Sequence, residues 1–404
     1  MTTLNKKSNT GKFIAIICLA AVYVLAFLLD NVLPATSFTL MLIPVLQKGA
    51  IYALLCVSMN LLNGFTGLFS LGQAGFMLIG GYTYAAITIP AAQHDSVYQY
   101  FDSAIRFSIP ETLSGIMGGN LGTILGVIIS LVIAGLLAAI FAALIGFPVL
   151  RLKSDYLAIA TLGFAEIIRA FFQWEGLGAI TNGSNQLRKY VTLSGMELNF
   201  GSVTIELGTL FLFVIVTVCV ALIVLLINSS YGRALKSIRD DEVASEAMGI
   251  NLFKHKMISF IISSFFAGVG GALLAMFQTT IQASAFKSAM TYEILLMVVI
   301  GGIGSISGSC IASFLYIALS EWILRFLDEG SLFGLIDVPF FRDGFRKVVF
   351  SVVIMIIVLF FSKGIMGDKE ISFKGIGGLL KKLKKKKTAP AAAEVSSKEG
   401  EVNE

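Results

Sequence analysis

Leu207-Gly-Thr-Leu-Phe-Leu-Phe-Val-Ile-Val-Thr-Val-Cys-Val-Ala-Leu-Ile-Val-Leu-Leu-Ile-Asn228 carries no charge at all. Shortly after it comes Tyr231-Gly-Arg-Ala-Leu-Lys-Ser-Ile-Arg-Asp-Asp-Glu-Val-Ala-Ser-Glu-Ala-Met-Gly-Ile-Asn251, which is polar, charged and helix-favouring. The first stretch is long enough to cross the ~30 Å hydrocarbon core of a bilayer, which takes ~20 residues. Lipid offers no partner for peptide groups, so such a run must be a helix. Runs of the same kind recur at 13–33, 41–63, 68–90, 121–150, 155–174, 207–228, 257–278, 288–303, 309–327 and 345–363. The short run 288–303 either crosses or is re-entrant. Leu, Ile, Val, Ala, Phe and Gly fill these runs without alternation, which excludes a barrel of short strands. The expected fold is all-α, a polytopic transmembrane helix bundle of about ten spans.

Composition agrees. Hydrophobic residues make up 56% of the 404 residues and charged ones only 14%, against about a quarter charged in a soluble domain. The first run has basic flanks (Lys6, Lys7, Lys12) but is too long for a signal peptide and lacks a small-x-small cleavage site. It reads as a retained helix. Lys and Arg set the orientation. The outer loops hold only Arg106, Arg188, Lys189, Lys287 and Arg342; most of the 30 basic residues fall on the other side. The positive-inside rule then places both termini in the cytoplasm and favours an even span count. Residues 1–12 form the cytoplasmic N-terminus, 13–363 the membrane domain with an inner loop at 229–256, and 364–404 a Lys-rich tail of disordered composition.

The net charge of +5 rests largely on Lys381-Lys-Leu-Lys-Lys-Lys-Lys387. Beside a bilayer, this run reads as an anchor for anionic lipid headgroups, with a partner-binding role as the alternative, and says little about nucleic acid. Cys18, Cys56, Cys219 and Cys310 all lie in apolar spans and read as packing residues. His94 and His255 are the only histidines, and no metal-ligand spacing exists.

The join between the second and third spans, Asn60 to Tyr82, is broken by Gly64, Gly67, Gly72 and Gly75, with Asn60, Asn63, Thr66, Ser70 and Gln73 between them. Two readings stay open. One is a broken helix offering polar groups to a substrate. The other is a tight inner turn followed by small residues for close helix packing. Gly301-Gly-Ile-Gly-Ser-Ile-Ser-Gly308 is a second glycine-rich turn; it lacks the Lys-Ser/Thr ending of a phosphate loop. Thr161, Glu166 and Arg169 interrupt the fifth span. A charge inside a span marks a functional site by default, but Glu166 and Arg169 are three apart and can simply pair. Gly176 to Gln186 reads as a loop or short plug at the outer mouth, or a plain connector. Lys48 snorkels to the outer interface.

In the inner loop, Ala244, Ala247 and Met248 give a short helix a small apolar face, and Gly249 ends it. Arg239, Asp240, Glu242 and Glu246 surround that face. Two readings stay open: a helix that docks in a partner's groove, or a solvated loop with local ion pairs.

Glu246-Ala247-Met248-Gly249 resembles the Glu-Ala-Ala…Gly signature in the coupling loop of ATP-binding-cassette importer permeases. More narrowly, Gly232 to Glu242, Ala247-Met-Gly-Ile-Asn251, Phe265-Phe-Ala-Gly-Val-Gly-Gly-Ala-Leu273, Asn60 to Tyr82, Asp155 to Arg169 and Gly301 to Gly308 resemble branched-chain amino acid permeases of the LivM type. The likeness covers roughly residues 40–362. Thr181-Asn-Gly-Ser-Asn departs from the family's Thr-Gly-Gly-x-Asn-Gly.

The resemblance implies a subunit of a multi-pass importer in a bacterial inner membrane. Its partners would be a second, LivH-like permease, two cytoplasmic ATPases that carry ATP and Mg, and an external binding protein delivering Leu, Ile or Val. No cofactor is expected on this chain, and without a Walker motif it is not itself an enzyme. Arg233, Arg239, Asp240, Glu242, Glu246, Ala247, Met248 and Gly249 would couple to the ATPases. Asn60, Asn63, Thr66, Ser70, Gln73, Thr161 and Glu166 are the candidates along the substrate pathway. A urea or short-amide permease of the same family is the alternative, followed by an ion-driven secondary transporter.

Overall fold

The computed structural model describes residues 9–31, 37–152, 154–200 and 203–324. Beyond them it describes 331–332, 336–337, 348–352, 355–356 and 364–367. The tail run Lys381 to Lys387, and most of the tenth expected span at 345–363, lie outside the described residues. The chain divides into two units, 1–22 with 370–404, and 23–369. In the first, only the helical backbone from Asn9 is described. Apart from α1, which begins in the first unit, all that follows concerns the second.

The helices are α1 (Asn9–Asn31), α2 (Ser37–Asn60), α3 (Gln73–Thr88), α4 (His94–Val97), α5 (Ile109–Met117), α6 (Gly119–Val149), α7 (Ser154–Gln173), α8 (Gly178–Thr181), α9 (Gly208–Asn228), α10 (Ser230–Asp240), α11 (Glu242–Ala247), α12 (Leu252–Gln278), α13 (Ser288–Gly301) and α14 (Ile306–Ile317). Among the described residues, five helical segments are long and apolar enough to cross a membrane: Met41–Phe65, Gly119–Val149, Tyr156–Gln173, Gly208–Asn228 and Leu252–Gln278. α3 joins Ala91–Val97 across a 100° bend and could serve as a sixth. Ala20–Asn31, α13 and Ile306–Trp322 are apolar but shorter.

Strands are marginal. Leu187–Arg188 (β1) pairs antiparallel with Thr280–Ile281 (β4), clipping together the segments that follow α7 and α12. Glu197–Phe200 (β2) and Val203–Glu206 (β3) form a hairpin, as do Ser331–Leu332 (β5) and Ile336–Asp337 (β6).

The core is built on α3 and α12. α3 is buried nearly all round, because small residues let three backbones close in. A Cβ at Gly80 would overlap the Gly268 carbonyl of α12, and one at Gly268 would sit 2.6 Å from Ala138 Cβ of α6. Lipid tails give no hydrophobic drive between helices, so close approach of this kind supplies the association energy. Leu54, Leu55, Met77, Leu78, Leu273 and Leu274 fill the space around the crossing. α6 and α9 keep apolar outer faces, including Leu125, Leu136, Leu144, Leu222 and Leu225.

Some boundaries depart from expectation. The third span was expected from residue 68, but its helix begins at Gln73. α2 ends in one turn of π-helix, Leu61–Phe65, and 66–72 is non-helical. α12 starts at Leu252, inside the expected inner loop, because the Asn251 side chain accepts from Lys254 N (2.9 Å) and caps it. α13 has 14 residues, about 21 Å of helix, which is short for a ~30 Å core.

Candidate functional site

Three places hold the residues singled out by sequence: the polar helix pair α10–α11, the strap 61–72 between α2 and α3 (a π-helical turn and then non-helical chain), and the charged groups within the apolar helices.

The inner loop forms two helices instead of one. Ser229 caps α10, accepting from Gly232 N (3.4 Å). Asp241 breaks the chain and caps α11 through Ala244 N (3.0 Å). Gly249 (φ +85) ends α11, with Gly249 N donating to Glu246 O (2.9 Å) and Ile250 N to Ser245 O (3.1 Å). This bond pair is a Schellman cap, whose left-handed position favours glycine. Inward, Ser245 is buried and bonded to Ser237 Oγ (2.7 Å), while Leu235 and Ile238 enter the core side. Lys256 pairs with Glu242 (2.7 Å) and ties α11 to α12.

Outward, Met248 is 83% exposed and Val243 79%. Ala244, Glu246 and Ala247 are exposed with them. Val243 was not singled out from the sequence, although its i, i+4 spacing to Ala247 puts both on one face. Beside this face lies a shallow groove of about 400 Å³, lined by Arg233, Lys236, Ser237, Asp240, Asp241, Ala244 and Ser245. Arg239 has an inward partner as well: its guanidinium pairs with Asp240 (2.9 Å) and donates to Gly64 O (3.2 Å).

The strap's polar side chains are engaged within the protein, apart from the buried Asn63 Nδ2, which has no partner among the described residues. Asn60 Nδ2 donates to Ser305 O (2.9 Å) and Ser309 Oγ (2.8 Å), and its Oδ1 accepts from Gly304 N (2.8 Å). Asn63 Oδ1 accepts from Ser70 N (3.2 Å). Thr66 Oγ1 bonds Leu61 O (3.0 Å) and Ser259 Oγ (2.6 Å). Gln73 Nε2 donates to Ser58 Oγ (2.7 Å). Thr161 Oγ1 accepts from Leu71 N (3.0 Å), so α7 is moored to the strap. Asn60, Thr66, Ser70, Gln73 and Thr161 are all buried. The glycines here serve close packing: a Cβ on Gly72 would lie 3.1 Å from Thr161 O and one on Gly75 2.9 Å from Ala165 Cα.

Within the apolar helices, Glu166 accepts from Arg169 (2.7 Å) and from the N–H and hydroxyl of Ser288, capping α13 from α7. The two side chains are 33% and 24% exposed. Lys48, which was expected to snorkel, pairs with Glu321 in the π-helical extension of α14. Tyr316 donates to Glu293 Oε1 (3.0 Å). Partly exposed charges of this sort belong against protein or water, not lipid. Among the described residues, no three His, Cys, Asp or Glu side chains converge to hold a metal ion.

The connections around α4 and α8 are held by hydrogen bonds. Asn182 (φ +60) donates to Val97 O (3.1 Å) and Gln186 O (3.2 Å) and lines a cavity of about 230 Å³ with Gln99, Tyr100, Asn185 and Arg188. Burial pushes the Tyr98 phenol up to about 12, so it remains a donor to Ile180 O (2.8 Å) at ordinary pH. A second cavity, about 410 Å³, lies where Asp30 accepts from Thr209 N (3.0 Å) and Oγ1 (2.7 Å) and caps α9.

A profile described as branched-chain amino acid transport system / permease component matches residues 41–362. The chain is 31% identical over 303 residues to the high-affinity branched-chain amino acid transport system permease protein LivM of Salmonella typhimurium, and 32% over 303 residues to that of Escherichia coli. Each alignment covers 70% of this chain and 63% of the relative, so the chain spans less than two thirds of those relatives' length. It is also 28% identical over 186 residues to the probable permease protein LivH of Methanocaldococcus jannaschii, covering 45% of this chain and 55% of the relative. No solved structure matches.

Proposed function

Because the chain belongs to the family of permease components of branched-chain amino acid transport systems, we propose that it is one of two permease subunits of an ATP-driven importer for Leu, Ile or Val. The second permease is LivH-like. Two cytoplasmic ATPases bind ATP and Mg, one docking on α10–α11 and the other on the second permease, and an external binding protein delivers the amino acid. The membrane is a bacterial inner membrane.

One observation carries the reading. Val243, Ala247 and Met248 form an exposed apolar face on a doubly capped helix pair between two membrane-capable helices. A soluble surface of this kind gains little from water and much from a partner's cleft. Arg233 and Asp240, on the rim of the adjoining groove, supply charges that set orientation.

The ten crossings expected from the sequence would be the five long helices, the bent α3 segment, α1, the shorter α13 and α14, and the segment 345–363, most of which lies outside the described residues. Both termini are then cytoplasmic. Gly364–Gly367 return to the inner end of α13, where Ile365 N donates to Ile300 O (2.8 Å). The solute moves along the face where α7 meets α13. The partly exposed Glu166–Arg169 pair supports this, since lipid does not tolerate it there. The zwitterion's two charges are met by such paired groups, while apolar walls accept the side chain.

Uptake into proteoliposomes holding the assembled complex tests the reading. ATP-dependent accumulation of radiolabelled leucine, competed by isoleucine and valine and not by urea, is expected. Accumulation without ATP, or competition by urea alone, would reject it.

A further inference from the structure

We propose that Arg239 is a positioning residue that links the cytoplasmic helix pair to α7, through the strap 61–72. The inference rests on α10–α11 as the ATPase-docking element and says how displacement there reaches the solute path.

The link is continuous in named atoms. Arg239 leaves the C-terminal turn of α10 and donates through Nη1 to Gly64 O (3.2 Å), in the π-helical turn that ends α2. Glycines make room for it. Gly67 holds φ +75, and a Cβ there would lie 3.0 Å from Arg239 Cγ; one on Gly304 would lie 3.4 Å from Arg239 Nη1. A Cβ on Gly64 would overlap Asn60 Oδ1. Asn60 in turn grips the α13–α14 turn through Gly304 N and Ser305 O. From Gly64 the strap runs on to Ser70 N, held by Asn63, and Leu71 N, held by Thr161 of α7. Gly75 then packs on Ala165, beside Glu166.

Two features make this a transmission element and not a static clip. The strap is non-helical between Thr66 and Gly72, so it can change shape without breaking a helix. Its ends are fixed to different helices by side-chain bonds, so a shift of α10 is resisted at Gly64 and delivered at Thr161. Arg239 reaches Gly64 with a rigid planar fork, one arm of which stays on Asp240 (2.9 Å). A lysine point charge does not reproduce that geometry.

The test uses the complete complex in proteoliposomes. R239A and R239K are compared with the wild type for recovery of ATPase subunits on purification and for leucine moved per ATP hydrolysed. Both variants are expected to recover the ATPases at wild-type yield. Leucine per ATP is expected to fall at least tenfold in R239A and severalfold in R239K. T161V, at the far end of the link, should lower the same ratio, and R239A/T161V should be no worse than R239A, since members of one chain of contacts do not add. An unchanged ratio in R239A, or losses in the double variant that multiply, would overturn the link. Loss of ATPase recovery by both variants would return Arg239 to the docking surface and also overturn it. A wild-type chain that recovers no ATPase removes the docking reading itself, and that control separates the two failures.

Discussion

The strap 61–72 and the helix pair α10–α11 are both polar interruptions of an apolar chain, yet they spend their polar groups in opposite ways. In the strap region, Asn60, Thr66, Gln73 and Thr161 are buried and bonded inside the protein. In α10–α11, the inner side is tied down by Ser237, Ser245 and Lys256, while Val243, Ala247 and Met248 face outward. A polar group with internal partners holds the fold. An apolar group left on the surface of a capped helix awaits another molecule. Substitutions of the buried, bonded groups therefore cost stability, and substitutions on the outward apolar face of α11 cost assembly.

Asn60→Leu should show the largest effect. It removes three buried bonds and strands Gly304 N, while Ser305 O keeps Ser309 as a donor, at about 2–5 kcal/mol for three buried bonds. Thermal unfolding in detergent reads it, and an unchanged midpoint would end the scaffold assignment. Met248→Glu should leave that midpoint within error and weaken ATPase recovery about thirtyfold, the scale of one buried hot-spot side chain. Equal recovery would erase the contrast between the regions. Gly249→Val forces a β-branched side chain into φ +85, at about 1–3 kcal/mol of local strain. Nothing lies within 4 Å of a Cβ there, so the bulk fold survives. Leucine transport per ATP should fall, and a variant with full coupling would mean the Schellman cap is dispensable. Lys256→Ala should matter least, at about 1 kcal/mol for a pair whose Glu242 carboxylate stays half open to solvent. Its effect on stability should shrink further in high salt, and a salt-independent loss would indicate a packing role.

Much of the bundle is legible in sequence because bilayer thickness dictates run length: α6, α7 and α9 fall within two residues of the expected spans. Gly249 is equally legible, since a helix C-terminus of this kind requires a left-handed residue. The strap is less so. Glycines at 64, 67, 72 and 75 announce a break, but sequence spacing does not reveal that Asn60 binds the turn after α13, far along the chain. The partnership of Lys48 with Glu321 is hidden for the same reason, as is the Asp30 cap on α9. Arg239 was grouped with the docking residues because it sits among charges; its contact with Gly64 exists only once α10 folds back beneath α2.

The central claim is that a separate ATPase grips the chain at α10–α11. A photo-crosslinking residue at Val243 in the intact complex tests it most directly, with the same residue at Leu225, an exposed apolar position on α9, as the control. The account predicts an ATPase adduct from position 243 and none from 225. An ATPase adduct from 225 alone, or from neither position while the complex transports leucine, would contradict it.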